Sequence, residues 1–244
     1  MWKVKKGENM RLDKYLTYAL SLSRNDARKL IKSKRITVND KEVYKNDLYL
    51  NKGDYVKLDG NILNYREFIY IMMNKPKGCV CANVDNLHKT VFEYIDGFEK
   101  YNLFTVGRLD IDTTGLLLIT NNGSLAHRLT SPKAECPKKY YVKTNIPFEN
   151  NDINLMKNGM VLYEEKDKPF TSKPAVLEII GDCEGYITIT EGKYHEVKKL
   201  CKAVGKTVVE LKRISMGDLY LDNTLKEGSW KELTEEELKL IGQE

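Results

Sequence analysis

The sequence predicts an α+β protein with a small basic module ahead of a larger domain built on a largely antiparallel or mixed sheet. Three observations carry that reading. Near the N-terminus apolar residues recur at helical spacing; beyond residue 66 strand-like segments outnumber helices, and few helices fall between consecutive strands. Charge is also divided unevenly: residues 1–60 hold 15 lysines and arginines against 8 acids, whereas 61–244 hold 25 against 27. The net charge of +5 is therefore an N-terminal surplus, the footprint expected for a polyanion partner. The expected boundaries are 1–60, a linker over 61–66, and 67–244; 244 residues suffice for one large and one small domain.

In the first module Leu12, Tyr15, Leu16, Ala19 and Leu20 mark an amphipathic helix over 10–20. A second helix starts at Ser23, where Ser23 and Asp26 make an S-x-x-D capping pair, and buries Ala27, Leu30 and Ile31. On it Arg24, Arg28 and Lys32 fall four apart and share a face, with Lys29 and Arg35 nearby. Like charges so placed repel one another, and a phosphate backbone would offset that repulsion through counterion release. Short strands follow at 36–38 and 55–58, with a turn at Asn39-Asp40-Lys41.

In the larger domain 68–74, 116–120, 141–144, 175–180, 186–190, 207–211 and 219–221 read as strands, being rich in β-branched and aromatic residues. Helices fit 124–129, 193–204 and, capped by Thr234 with Glu237, 235–241. In the 193–204 helix Val197, Leu200, Cys201 and Val204 form the buried stripe, which leaves Lys198 on its shoulder.

The segment Gly107-Arg108-Leu109-Asp110-Ile111-Asp112-Thr113-Thr114-Gly115, running into the apolar Leu116 to Ile119, places acids beside a base on a glycine-bracketed loop at a strand mouth. Rigid strands fix such loops while leaving their carboxylates accessible. Asp110, Asp112 and Gly115 also match the first half of a calcium loop, but position 12 is Asn121 and no helix pair flanks it. The five cysteines include no C-x-x-C pair and the three histidines no ligand spacing, so neither a disulfide framework nor a metal is expected. No stretch approaches the ~20 apolar residues of a membrane span, and Met1-Trp2-Lys3-Val4-Lys5-Lys6 leads into no apolar leader. The expectation is a cytoplasmic, monomeric protein with no membrane partner.

Four motifs occur in order. They are Asn74-Lys75-Pro76-Lys77-Gly78, the run from Gly107 to Gly123, Lys138-Lys139-Tyr140, and Glu191-Gly192-Lys193-Tyr194-His195-Glu196-Val197-Lys198-Lys199. Together they resemble the RsuA-type pseudouridine synthases, and Met10-Arg11-Leu12-Asp13-Lys14 with Ile36-Thr37-Val38-Asn39 resembles the alpha-L RNA-binding domain of a small-subunit ribosomal protein. The resemblance implies the pseudouridine synthase fold, with Asp110 as the catalytic carboxylate, Lys198 as the base that orients it and keeps it ionised, and Tyr140 packing on the target uracil. It further implies Arg108 on the RNA backbone or in the space left by a flipped nucleotide, and Leu200 is expected at the base pocket or in plain core packing; the basic stripe of the first module places Arg24, Arg28, Lys32 and Arg35, with Arg11, on RNA. Many relatives carry Arg where this chain has Lys198, a point charge in place of a bidentate fork. Asp112 is expected to shape the loop.

The reaction so implied is an internal rearrangement of uridine, which needs a carboxylate and an enclosing pocket and no cofactor; the chain has no P-loop or G-x-G-x-x-G motif. The motifs look closest to the small-subunit branch, hence one uridine in 16S rRNA, reached by base flipping within a ribosomal assembly intermediate. The alternatives are a 23S rRNA hairpin uridine, or a non-catalytic RNA-binding assembly factor.

Overall fold

A computed structural model describes residues 10–51, 53–163 and 169–243. The lysine-bearing start of the chain, 1–9, lies outside the described residues. The chain divides into two compact units, one through residue 69 with 98–102, the other 70–97 with 103–244.

The first unit runs β1 (Met10–Arg11), α1 (Leu12–Leu20), α2 (Arg24–Lys32), β2 (Ile36–Val38), β3 (Lys41–Glu42), β4 (Tyr49–Leu50), β5 (Val56–Leu58) and β6 (Asn61–Ile62). The expected cap holds, with Ser23 Oγ accepting from Asp26 N–H at 3.2 Å. The first helix is shorter than expected, because Met10 and Arg11 pair with Leu50 and Tyr49 as strands. Leu12, Tyr15, Leu16, Ala27, Ile31, Ile36, Leu50 and Val56 close one core between the helices and the β3-β2-β5-β6 sheet. The segment 61–66, expected as a linker, instead contributes β6 to that sheet and Tyr65 to that core, where its ring stacks on Tyr18 at 5.3 Å. Its apolar residues are too few to read as a strand, and tertiary packing decides the outcome.

The second unit holds β7 (Tyr70–Lys75), β8 (Phe104–Thr105), β9 (Thr114–Thr120), α3 (Gly123–Thr130), β10 (Lys138–Thr144), α4 (Asn150–Lys157), β11 (Val161–Leu162), β12 (Phe170–Thr171), β13 (Val176–Gly181), β14 (Glu184–Ile189), α5 (Glu196–Ala203), β15 (Val208–Met216), β16 (Leu219–Tyr220), β17 (Trp230–Glu232) and α6 (Glu235–Leu240). Nine of its strands form a mixed sheet in the order β13-β14-β10-β15-β9-β7-β17, with β16 on β15 and β8 on β9. Pairing is antiparallel throughout except between β15 and β9, where Lys212 meets Thr114 and Arg213 meets Gly115. β9 is buried at all seven positions, which explains its unbroken apolar run, as expected for a strand covered on both faces. Leu116 and Leu118 pack on Leu125 and Leu129 of α3 and on Ile241. The helix α5 begins at Glu196, three residues later than expected; His195 is its N-cap and takes φ +53°, so 193–195 are loop.

Candidate active site

The glycine-bracketed loop is built before β9 begins. Thr113 N–H turns back to the Asp110 carbonyl at 3.1 Å, and Gly78 N–H reaches the Ile111 carbonyl at 2.7 Å. Lys75, fully buried at the end of β7, donates Nζ to the carbonyls of Pro76, Asp110 and Thr113 at 3.0–3.1 Å. Leu109 N–H adds a bond to Cys81 Sγ at 3.4 Å. Gly115 closes the loop at φ +97°, where a Cβ would stand 2.3 Å from the Arg213 carbonyl oxygen. Only glycine lets β9 approach β15 at this point.

On this frame Asp110 carries a carboxylate 24 % exposed, with Oδ2 3.0 Å from Lys198 Nζ. The same ammonium donates to Asp112 Oδ1 at 2.6 Å, so Asp112, which had no partner in sequence, shares the lysine with Asp110. Burial works against the Lys198 charge, but the bonds to Asp112 and Asp110 outweigh it and raise its pKa. Burial likewise raises the Asp112 carboxyl, and Lys198 more than reverses that and holds it below the ordinary range. His195 Nε2 stands 3.4 Å from Asp110 Oδ1, its ring stacked on Tyr194 at 3.7 Å. The left-handed backbone at His195 turns this ring toward the acid, while Lys198 follows three residues on along the same helix face.

Asp110 opens onto a pocket also lined by Arg108, Tyr140, Val197, Lys198 and Arg213. Tyr140 is buried on β10, directly opposite Ile187 of β14 and Arg213 of β15. Tyr141 falls on the other face of the strand and meets Tyr186 edge-on at 6.2 Å. Arg108 is exposed at the pocket rim. Leu200 does not line the pocket: it is fully buried in the core. Two residues beyond Lys198, at about 200° around the helix, it faces away from the site.

The far wall holds two acids. Glu191 Oε1 accepts from Lys173 N–H at 2.7 Å and its Oε2 lies 3.3 Å from Lys193 Nζ; Glu196 Oε2 accepts from Lys193 N–H at 2.8 Å. Burial pushes the Glu196 carboxyl up to about 7, the Lys193 N–H opposing and a hydrogen bond to Glu191 adding to the rise. Lys138, buried on β10, ties the Cys136 and Glu191 carbonyls at 2.9 and 3.1 Å.

In the first unit the arginines are not a simple exposed stripe. Asp13, with a side chain 0 % exposed, gathers Arg11 at 2.8 Å, Arg28 at 3.3 Å and Arg24 at 3.5 Å. Burial raises this carboxyl, and the bonds from Arg11 and Arg28 carry it below its ordinary value. Arg35 is held by Asp59, with Nε at 2.9 Å from Oδ1, and Lys32 is exposed. The repulsion expected along α2 is thus partly offset inside the protein.

The motifs that carry Asp110, Lys198 and Tyr140 also contain Lys75, His195 and Glu196, whose places at the site depend on the fold. Arg213, in an otherwise ordinary β-strand, left no local signal.

Residues 69–203 match the family described as RNA pseudouridylate synthase, and 10–54 match the S4 domain. The ribosomal small subunit pseudouridine synthase A of Escherichia coli strain K12 is 42 % identical over 95 % of this chain and 100 % of its own, and that of Haemophilus influenzae 38 % over 95 % and 99 %. An uncharacterized RNA pseudouridine synthase of Bacillus subtilis is 41 % identical over 96 % and 99 %. A crystal structure of a pseudouridylate synthase superposes with a TM-score of 0.67 at 38 % identity, covering 95 % of this chain and 99 % of that one.

Proposed function

The chain belongs to the RNA pseudouridylate synthase family, as an RNA pseudouridine synthase with an S4 domain ahead of its catalytic domain, and from that membership we propose that it isomerises one uridine of 16S ribosomal RNA. The names of the relatives similar over nearly the whole chain favour the small subunit. The observation that carries the chemistry is the Asp110 carboxylate, held by a tied loop and bonded to Lys198 at the mouth of a pocket walled by Tyr140.

Asp110 either attacks C1′ or takes a ribose proton; on both routes the C1′–N1 bond breaks with its electron pair on the base. The uracil turns, C5 bonds to C1′, C5 gives up its proton and N1 gains one. Lys198 fixes the carboxylate, and Tyr140 offers a face on which a flipped base stacks, which repays part of the few kcal/mol of unstacking. Arg108 at the rim meets the RNA backbone, and the S4 domain supplies affinity for rRNA within an assembling subunit, with the protein acting in the cytoplasm as a monomer.

The test is incubation with unmodified 16S and 23S rRNA, free and with ribosomal proteins, mapping pseudouridine by carbodiimide-dependent reverse-transcription stops. One new stop in 16S rRNA, absent with Asp110→Asn, is the expected result. A stop in 23S rRNA alone would move the target to the large subunit. Binding without any stop would remove the catalytic assignment.

A further inference from the structure

Buried polar atoms that lack a hydrogen-bond partner are rare in folded proteins, and each one calls for an explanation. Among the described residues two of them, Thr113 Oγ1 and Arg213 Nη2, belong to residues lining the catalytic pocket. Arg213 is the more telling. It is 2 % exposed, and its Nε donates to the Leu116 carbonyl at 2.7 Å, which fixes the guanidinium against the sheet. No carboxylate of the described residues pairs with it, although every other arginine discussed above except Arg108 at the solvated rim has an acid beside it. A buried cation without a counterion is costly, and Arg213 Nη2 lacks even the carbonyl acceptors that satisfy the buried Lys75 and Lys138. Lys138 on the same wall spends its ammonium on two carbonyls and adds no anion.

Position narrows the ligand. Arg213 stands opposite Tyr140 across the β10–β15 ladder, and directly opposed side chains share a face with Cβ atoms about 5 Å apart. The donor is therefore beside the ring proposed to carry the uracil, while the exposed rim marked by Arg108 suits phosphates. We propose that the Arg213 guanidinium donates to a carbonyl oxygen of the target uracil and stabilises the negative charge that the base carries between scission of C1′–N1 and formation of C1′–C5. The electron pair of the broken bond resides on the uracil in that interval, delocalised onto both carbonyl oxygens. It returns in the C5–C1′ bond, after which C5 loses a proton and N1 takes one up. A donor held in a water-poor site is worth most against charge that develops during the reaction, so Arg213 acts on the rate more than on RNA affinity.

This proposal rests on the synthase reading above. Its test is single-turnover kinetics on an rRNA fragment with uridine, 2-thiouridine or 4-thiouridine at the target position, using wild type, Arg213→Met and Arg213→Lys, with RNA retention on filters as the binding readout. Wild type on uridine is the control for the parent reading; no product there would sink both. With product formed, Arg213→Met is expected to slow the chemical step about 100-fold and to change the RNA Kd less than about threefold. Sulfur at the contacted position is expected to slow wild type about tenfold relative to its effect on Arg213→Met, because the two changes remove the same contact. Arg213→Lys, which keeps a cation in the wall, should fall between the two and serves if Arg213→Met does not fold. Equal sulfur effects in wild type and in the folded variant, or equal losses in rate and affinity, would overturn the proposal while leaving the synthase reading intact.

Discussion

Lys198 serves two carboxylates with one ammonium, and the two are not equivalent: Asp112 holds the shorter contact, 2.6 against 3.0 Å, while Asp110 faces the pocket. Removing the cation in Lys198→Met is expected to reduce turnover by about 100-fold or more, since Asp110 then loses its orienting donor. Asp112→Asn leaves that donor in place and is expected to cost about tenfold or less, measured in the same single-turnover assay. Glu196 gives a separate readout through stability. Its pKa is raised to about 7 in the folded protein, so the folded state binds this proton more tightly than the unfolded chain. The resulting stabilisation is complete below the ordinary glutamate pKa and is lost as pH rises through about 7. Wild type should therefore lose on the order of 2 kcal/mol between pH 5 and 8 in urea titrations, and Glu196→Gln should show a flatter profile. A steeper profile in the variant would contradict the assignment.

Among the elements, β9 and β15 matter most, because the loop before one and a side chain on the other meet at a single glycine. Gly115→Ala places a methyl against the Arg213 backbone at a left-handed φ, and is expected to destabilise the protein by about 2 kcal/mol or more, with Arg213 displaced and activity lost together. Restored stability without restored activity in a second-site revertant would locate the effect in the site. Elements with strong local signals were legible: the Ser23 cap of α2, the Thr234–Glu237 capping box of α6 and the apolar run of β9 all appear where the residues predict them. Others lacked such signals. The helix α4 is polar along most of its length and buries only Asp152 and Met156, so no periodicity marks it. The strand β17 exists because Trp230 to Glu232 find β7 as a partner, which is a tertiary event. Residues 193–195 extend the helical pattern in sequence yet turn away, since His195 takes a left-handed conformation beside Asp110. The same division holds for the candidate site: the motifs carry Asp110, Lys198 and Tyr140, which line one pocket, whereas Arg213 reaches that pocket through strand pairing that sequence spacing does not express.

For the whole molecule the N-terminal surplus of positive charge is the property most open to measurement. RNA affinity should weaken with salt, and Lys32→Gln, which removes an exposed charge, should reduce the slope of log K against log salt by about one. Asp13→Asn removes the anion that gathers Arg11, Arg24 and Arg28, and is expected to lower the urea midpoint of unfolding, because the three guanidinium groups lose the carboxylate they share. The parallel junction of β9 with β15 bears on a different matter, the order in which the protein is made. Lys198 lies 86 residues beyond Asp112, and Arg213 97 residues beyond Leu116. Contacts so distant in sequence form late. During synthesis the loop bearing Asp110 emerges long before its lysine or its sheet neighbour exists, so a chain halted between them has the acid and no site. A chain halted before β15 therefore holds the Asp110 loop without the strand on which β9 pairs in parallel.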